Sequence, residues 1–358
     1  MFNPAEALIF EHLHPQSNSR ILILEGGAGW LAAEAARRVP RGEVLSLDRD
    51  FRNIQAAENL LSEIPNAHTN AEVLPSSDLW DIVLLTIPKE RRFGRTLLVA
   101  AWEALKSGGQ LLLAGPTGKG AKAAIIDAER LFGNANILGY RHHQRVAACT
   151  RTDALPDPLP IEFQQPGVSP GTQHFLEITR PEGILTLETH PGIFSWEALD
   201  EGTALLLDHL KVHPGERVWD VGCGYGVIGL SAALAGAGFV TMSDINLLAV
   251  DYTKRNFERN QLTTKLEIFP ADVFSPVPQP LIPFDLILSN PAFHQGREVN
   301  KSMADEMISA TPKLLSPDGR LVLVANRFLN YDRLMNKYFK KVARIAETSK
   351  FHVVEASQ

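Results

Sequence analysis

The chain has 358 residues, 45% of them hydrophobic and 21% charged, and a net charge of -6 at pH 7. This length predicts about two domains, and the composition is that of an ordinary globular protein. No apolar run approaches the roughly 20 residues that span a bilayer, and only two cysteines occur, Cys149 and Cys223. They lie far apart without metal-ligand spacing, which disfavours a disulfide framework or a metal site.

The first half alternates predicted strands and helices. An apolar run that ends in an acid and a glycine cluster, ILILEGGAGW (21–30), precedes a small-residue stretch that can open a helix. Further strands are predicted in GEVLSLDRD, which contains Asp48, in WDIVLLTIPK (80–89) and in ALKSGGQLLLAG, where a helix end breaks at glycine. This alternation predicts an α/β unit with a mostly parallel sheet and helices on both faces.

A segment rich in proline and glycine, DALPDPLPIEFQQPGVSPGTQ, separates the halves and is interpreted as a linker. Two alternating runs around Pro-Glu-Gly follow in HFLEITRPEGILTLETHPG and predict a β-hairpin. We therefore expect a first domain at 1–152, a linker at 153–172 and a second domain at 173–358.

The second half repeats the plan of the first. Its matching segments are RVWDVGCGYG (217–226), FVTMSDIN with Asp244, FDLILSNPAF (284–293) and LLSPDGRLVLVAN. Four matched segments in the same order indicate a duplicated domain.

The glycine cluster of the second half is the strongest cofactor signal. A predicted strand ends at Asp220, and Gly222, Gly224 and Gly226 permit a tight turn before a helix. The G-x-G-x-G spacing differs from the G-x-G-x-x-G of dinucleotide enzymes. Glycine loops also occur as plain strand-to-helix turns, so the loop alone does not decide the function.

Three acids at successive strand ends add to this signal. Asp220 suits a cationic or hydroxyl-bearing ligand and would repel a pyrophosphate. Asp244 can accept hydrogen bonds from both ribose hydroxyls, and Asp272 in FPADVFS stands where an adenine edge can be recognised. Each acid alone could be a helix cap or a surface charge. Together they line one rim of an open sheet, where ligands of this architecture bind.

This set resembles the class I S-adenosylmethionine-dependent methyltransferases. The resemblance covers the second half and implies a seven-stranded, Rossmann-like sheet with S-adenosylmethionine across its carboxyl edge. The cofactor-binding residues that it implies are Thr203, Asp220, Gly222, Cys223, Gly224, Gly226, Asp244, Ile245, Asp272, Val273 and Asn290.

In this family the fourth motif, Asn/Asp-Pro-Pro-aromatic, marks methylation of an amino nitrogen conjugated to a ring or carbonyl. Asn290 Oδ1 and the Pro291 carbonyl are expected to accept the two N–H bonds of such an amine, and Phe293 to stack on the base. His294 could reach a phosphate or ring atom, although a structural hydrogen bond is the simpler role. Ala292 replaces the usual second proline.

The stretch HPGIFSWEALDEGTALLLDHL narrows the resemblance to bacterial ribosomal RNA guanine-N2 methyltransferases of the RsmC/RlmG type, as does NPAFHQG. The resemblance is residue-specific from about 190 to 332 and implies two tandem domains, the first without a working site. The residues implied to form part of the substrate and cofactor pocket are Pro191, Gly192, Phe194, Ser195, Leu199, Asp200, Gly202 and Thr203. Of these, we expect Phe194 and Ser195 to contact the substrate.

The first half departs from the family pattern. Glu25 is taken as the counterpart of Asp220, while Trp30 and Leu31 would crowd the glycine loop, and no asparagine precedes Pro88. We therefore expect this half to bind no cofactor. It is either a folding scaffold or an RNA grip acting through PKERRFGR, whose Arg91, Arg92 and Arg95 would contact phosphates.

The predicted function is methylation of the N2 amine of a guanine in ribosomal RNA, with 16S favoured over 23S. The substrate is naked RNA or a subunit particle, and the expected protein is a cytoplasmic monomer without a secretory signal. The alternatives are a catalytically silent RNA-binding assembly factor and a protein glutamine N5-methyltransferase. The net negative charge gives no global nucleic-acid signature, but the stretch 327–350 has seven Lys or Arg against two Asp or Glu. It is either a local basic surface or a solvated helix face.

Overall fold

The computed structural model describes residues 3–75, 79–277, 282–291 and 299–358, except for the side chains of 299–303. The chain divides into two compact units, Met1–His174 and Phe175–Gln358. No helix in the described part of the chain has the length and apolar character of a membrane span.

The first unit is built on a seven-stranded sheet. Its strands are β1 (Arg20–Leu24), β2 (Glu43–Leu47), β3 (Ala67–Thr69), β4 (Trp80–Thr86), β5 (Leu105–Pro116), β6 (Asn136–Arg141) and β7 (Gln144–Thr150). Their order is β3-β2-β1-β4-β5-β7-β6; β7 pairs antiparallel with β5 and with β6, and the other neighbouring pairs are parallel. Its helices are α1 (Pro4–His12), α2 (Trp30–Arg38), α3 (Phe51–Leu61), α4 (Arg91–Ala104) and α5 (Ala121–Phe132).

Helices cover both faces of this sheet because its central strands are apolar on both sides. Ile21 and Ile23 pack in one core cluster with residues of α1, α2 and α3. Leu22 and Leu24 alternate with them and are also fully buried, on the opposite face.

The second unit repeats the same sheet. Its main strands are β10 (Arg217–Val221), β11 (Phe239–Asp244), β12 (Lys265–Pro270), β13 (Phe284–Ser289), β14 (Leu315–Asn326), β15 (Lys341–Glu347) and β16 (Phe351–Ser357). The order β12-β11-β10-β13-β14-β16-β15 matches the first unit strand for strand. Its helices are α6 (Glu201–His209), α7 (Val227–Leu234), α8 (Leu247–Arg259), α9 (Val299–Ala310) and α10 (Tyr331–Met335).

The predicted hairpin at the start of the second unit is confirmed as a two-stranded sheet, β8 (His174–Arg180) with β9 (Gly183–Thr189). The segment expected to be a linker belongs to the first unit and contains a short 3-10 helix, Ile161–Phe163, with Phe163 fully buried. The basic stretch 327–350 is not one helix face, because it runs from a loop through the short α10 and along β15.

Equivalent hydrogen bonds in the two units correct the sequence alignment of the halves. Gly27 N donates to Asp48 Oδ2 at 2.8 Å, just as Gly224 N donates to the corresponding aspartate of the second unit at 2.8 Å. Gly27 therefore matches Gly224, which places Glu25 opposite Gly222 and Ile23 opposite Asp220. The sequence-based pairing of Glu25 with Asp220 was wrong by two residues. Likewise, Trp30 and Leu31 are the first residues of α2, after the loop, and do not crowd it.

Candidate active site

The candidate site lies at the carboxyl edge of the second sheet, where neighbouring strands end. β10 leads into the glycine loop 222–226, β11 ends at Asp244, and β13 leads directly into Asn290. In the sheet register, Asp220 lies beside Leu288 of β13. Open parallel sheets bind their ligands at this edge.

The three glycines of the loop have different tasks. Gly222, Gly224 and Gly226 all have a left-handed backbone, with φ of 75°, 59° and 90°. Among the described residues, a Cβ on Gly222 would meet nothing within 4 Å, and one on Gly224 would only touch Ile193 at 4.0 Å. A Cβ on Gly226 would lie 2.9 Å from Thr253 of α8. Gly222 and Gly224 therefore leave open space for a ligand, whereas Gly226 allows the helices to pack.

Asp244 anchors the glycine loop to the end of β11. Its Oδ2 accepts the N–H of Gly224 and its Oδ1 that of Asn246, each at 2.8 Å. Burial raises the pKa of Asp244, and these backbone donors oppose the shift. The carboxylate keeps lone pairs beyond those that the backbone uses, so the predicted bonds to ribose hydroxyls are compatible with the anchoring role.

Asp272 lies beside this anchor, in a tight turn after β12. Ala271 donates its N–H to the backbone carbonyl of Asp244 at 3.0 Å, and Asp272 exchanges two backbone bonds of 2.9 Å with Ser275. Val273 within the turn has a φ of 53°, an unusual conformation for a β-branched residue. Such strain is often found in ligand-binding segments.

Asp220 is fully buried beneath the first turn of α7. Its Oδ2 accepts the N–H of Gly229 at 2.8 Å, while its Oδ1 has no hydrogen-bond partner among the described residues. Burial raises the pKa of Asp220 to about 7, and the charge of Asp244 adds to the shift. An unpaired buried carboxylate oxygen costs about 1–3 kcal/mol and favours a cationic ligand nearby.

Two other predicted cofactor residues flank these acids. Cys223 donates its N–H to Ser243 O at 2.9 Å, and its buried thiol lies 3.5 Å from Thr253 Oγ1. Burial raises the pKa of this thiol well above its usual value, so it is an inert packing group. Ile245 is half-buried and follows Asp244 directly.

The amide of Asn290 is held from one side by the N-terminus of α6. Its Nδ2 donates to Asp200 Oδ2 at 3.0 Å and to Thr203 Oγ1 at 2.7 Å. Asp200 also caps α6 by accepting the N–H of Thr203 at 2.8 Å. A carboxylate can only accept, so it fixes Nδ2 on its own side and turns Asn290 Oδ1 the other way.

Thr203 was predicted to bind the cofactor, which stays a prediction, and its hydroxyl accepts a hydrogen bond from Asn290. Asp200 was placed in the pocket by resemblance without an individual role. In the sequence, Asp200 could have been recognised as the N-cap of a predicted helix, because aspartate is a preferred N-cap residue. Its side chain accepts the backbone N–H of Thr203, three residues later.

The loop that carries Phe194 and Ser195 is pinned to the same edge. Asn246 Nδ2 donates to Gly192 O at 2.8 Å, and Ser195 has a left-handed φ of 52°. Phe194 is 47% exposed, which leaves one side of its ring accessible to a ligand.

Side-chain amides of α8 hold the hairpin that precedes this loop. Asn256 accepts the N–H of Glu188 at 2.7 Å and donates to its carbonyl at 2.9 Å. Asn260 likewise accepts the N–H of Thr186 and donates to the carbonyl of Thr186. Asn256 also donates to Tyr225 O at 2.9 Å, which joins the hairpin to the glycine loop.

Part of the fourth motif lies outside the described residues. Pro291 is described, but Ala292, Phe293 and His294 are not. In the described ranges, no three His, Cys, Asp or Glu side chains are grouped to hold a metal ion.

Comparison with known proteins places the chain in a family. A model of the methyltransferase small domain matches residues 184–355. Ribosomal RNA small subunit methyltransferase C of Chromohalobacter salexigens is 34% identical over 75% of this chain and 76% of its own length. Its namesake in Hahella chejuensis is 30% identical over 99% of this chain and 98% of its own length. The chain belongs to the ribosomal RNA small subunit methyltransferase C family.

A solved structure of this family has the same architecture. The T. thermophilus 16S rRNA N2 methyltransferase (RsmC), in complex with AdoMet and guanosine, superposes with a TM-score of 0.80 at 27% identity. The match covers 99% of this chain and 92% of that one. The predicted family, the methyltransferase class and the two tandem Rossmann-like sheets are thereby confirmed.

In this family member, the carboxyl edge of the first unit is closed by ion pairs. Glu25, at the place of Gly222, has a left-handed φ of 54°. Arg49, which follows Asp48, lies 3.4 Å from Glu25 Oε2 and 2.8 Å from Glu90 Oε2. These side chains occupy the space that the glycine leaves open in the second unit, which supports the prediction that the first unit binds no cofactor.

The arginines predicted to grip RNA have structural partners. Arg91 and Arg95 both bond to buried Asp127, Arg91 through Oδ1 at 2.8 Å and Oδ2 at 2.9 Å. Burial would raise the pKa of Asp127, but these bonds hold it below its usual range. Arg91 remains half-exposed and Arg92 half-buried, so their RNA contact stays a prediction.

Proposed function

We propose that the protein transfers a methyl group from S-adenosylmethionine to the exocyclic N2 amine of a guanine in small-subunit ribosomal RNA. The observation that carries this proposal is the fixed orientation of the Asn290 amide by Asp200 and Thr203. An exocyclic amine conjugated to a base is a poor nucleophile, because its lone pair is delocalised into the ring. Acceptors placed on its two N–H groups hold it in line with the methyl carbon and stabilise the positive charge that develops.

The described residues at the edge fit S-adenosylmethionine. The open space over Gly222 and Gly224 admits a ligand close to the backbone. The unpaired Oδ1 of Asp220 suits its positive charge, and Asp244 retains lone pairs for ribose hydroxyls. When bound, the cofactor supplies an electrophilic methyl group on a sulfonium.

The chain itself binds and orients the amine. Asn290 Oδ1 and the Pro291 carbonyl accept its two N–H groups, while Asp200 and Thr203 keep the amide from flipping. The proton can leave after methyl transfer, so the reaction needs no strong base. Stacking by Phe293, together with any contact from His294, completes the proposed substrate site.

Guanine in RNA is favoured as the substrate over the alternatives. The curated relatives are ribosomal RNA methyltransferases, and the solved family structure contains guanosine. Glutamine N5-methyltransferases normally carry a helical N-terminal domain, whereas this first unit is a second α/β sheet. We propose that the enzyme acts in the cytoplasm as a monomer, on naked RNA or on a subunit particle.

The test is methyl transfer to unmodified small-subunit RNA and to subunits that lack the modification, mapped by mass spectrometry. We expect one N2-methylguanosine, and we expect Asn290→Ala to abolish transfer while S-adenosylmethionine affinity stays within a few-fold. Calorimetry measures that affinity, with Asp220→Ala as the variant that should lose it. Methylation of protein glutamine, or cofactor binding without transfer to either RNA substrate, would refute the proposal.

A further inference from the structure

Phe328 is an exposed aromatic side chain at the same sheet edge as Asn290. It lies in the short loop between β14 and α10, and 76% of its surface is open to solvent. β14 pairs in parallel with β13, so the loops that follow these two strands leave the sheet side by side. A single exposed apolar side chain is common and indicates nothing by itself, so its surroundings must decide its role.

The strand order places Phe328 on the side of Asn290 that is away from the cofactor. Along the carboxyl edge the strands run β11, β10, β13 and β14. Asp244 and the glycine loop therefore lie on one side of Asn290, and Phe328 lies on the other. Nucleotides on this second side of a target base at Asn290 would lie toward Phe328.

Contacts connect the loop of Phe328 to the residues that orient the amide. Asp200 is followed by Glu201, whose carboxylate lies 2.8 Å from Lys350 Nζ. The carbonyl of Lys350 accepts the N–H of Arg327 at 2.8 Å, and Arg327 directly precedes Phe328. The backbone bond from Arg327 thus ties the loop of Phe328 to the residue before β16, and the exposed ion pair of that residue reaches Glu201 beside Asp200.

The first unit shows what this loop looks like without a site. There Thr117 N donates to His143 O at 2.8 Å, the counterpart of the loop bond in the second unit. Gly118 then stands at the place of Phe328, and a Cβ there would meet nothing within 4 Å in the part of the chain that the structure describes. The corresponding loop of the first unit therefore forms without an aromatic ring, and the exposed ring of Phe328 adds little to the core of the second unit.

Two exposed cations belong to the same loop region as Phe328: Arg327 precedes it in the chain, and Lys350 accepts the backbone bond of Arg327. Arg327 pairs with Glu347 at 2.9 Å, with side chains 54% and 38% exposed, and Lys350 pairs with Glu201, with side chains 64% and 66% exposed. Exposed ion pairs contribute little to stability, so a phosphate can replace either acid at small cost.

We propose that Phe328 stacks on an unpaired base adjoining the target guanine, with Arg327 and Lys350 neutralising the neighbouring phosphates. This inference rests on the proposed function, because it takes RNA as the substrate. A base fits because every base presents a flat π face, and an aromatic ring between cations is how single-stranded RNA is commonly bound.

The test compares Phe328→Ala, Phe328→Leu and Phe328→Trp in the full-length chain. Unmodified small-subunit RNA serves as the probe, both for equilibrium binding and for methyl transfer. We expect Phe328→Ala to raise Kd and KM for the RNA about 5- to 150-fold, the loss of one stacked base. The value of kcat at saturating RNA and the affinity for S-adenosylmethionine should not change.

The other variants separate stacking from a general apolar contact. Leucine should behave like alanine, and tryptophan like the wild type. Tyr338→Ala is the matched control, because Tyr338 is also an exposed aromatic residue, with 45% of its surface open to solvent. It lies just before β15, and the first residue of β15 pairs with the last residue of β16 at the sheet edge opposite Asn290. Tyr338→Ala should leave RNA binding unchanged.

The inference is overturned if Phe328→Ala binds RNA as tightly as the wild type, or if leucine restores wild-type binding. The two proposals fail separately. A wild-type chain that binds the RNA without methylating it would refute the proposed function. The RNA affinity of Phe328→Ala, compared with that of the wild type, would still decide whether the ring stacks on a base.

Discussion

Replacing Asp200 tests whether the orientation of the Asn290 amide drives the reaction. Asp200 has two tasks, since it caps α6 through Thr203 N and accepts from Asn290 Nδ2. Asp200→Ser separates them. Serine caps helices as well as aspartate does, but it is too short to hold the amide and carries no charge. With Asp200 gone, the Thr203 hydroxyl can donate to Asn290 Oδ1 as easily as it accepts from Nδ2, so the amide can flip.

The expected loss follows from the bond removed. A hydrogen bond to a charged group contributes about 1.5–3 kcal/mol. If that contribution is made wholly in the transition state, kcat falls about 10- to 150-fold. KM for S-adenosylmethionine should stay near the wild-type value, because Asp200 bonds to Asn290 and Thr203 and not to the glycine loop.

Steady-state kinetics on unmodified small-subunit RNA measures kcat, and thermal unfolding measures the contribution of the helix cap to stability. Asp200→Ala removes cap and orientation together, and a lost cap of about 1 kcal/mol should lower Tm by roughly 2–4 °C in a unit of this size. Asp200→Ser should keep the wild-type Tm while losing kcat. If Asp200→Ser retains kcat within about twofold, the carboxylate does not orient the amide and the reasoning fails.

Three further predictions concern cofactor binding. Gly222→Ala should abolish cofactor binding with a modest loss of Tm, whereas Gly226→Ala should mainly lower Tm because its Cβ meets α8. Calorimetry measures the binding and thermal unfolding measures Tm. Equal effects of the two substitutions would contradict the different tasks of these glycines. Calorimetry should find one cofactor per chain, because Glu25 and Arg49 fill the first edge; a stoichiometry of two would refute this. The pKa of Asp220 is raised to about 7, so its attractive ionised form prevails only above that pH. Cofactor affinity should therefore fall as pH drops through about 7, less so in Asp220→Asn; identical pH profiles would rule out this cause.

Much of the fold was predictable because its signals are local. Apolar runs that end in glycine loops, repeated in the same order in both halves, already indicate a duplicated α/β architecture, and the two sheets share one strand order. The glycine spacing and Asp244 also predict a cofactor site at one sheet edge, since parallel strands bring their carboxyl ends together. The register of the duplication was not predictable. Only the bonds from Gly27 and Gly224 to their aspartates show that Glu25 matches Gly222.

The sequence by itself determined the architecture, the family and the residue types of the site, because strand periodicity, turn glycines and the Asn-Pro motif are properties of short segments. Tertiary structure decided how those residues act. Asp200 and Asn290 are 90 positions apart, and no local pattern shows that one carboxylate both caps a helix and orients the amide. The place of Phe328 on the same sheet edge as that amide is likewise set by strand order, because β14 and β13 become neighbours only when the sheet assembles.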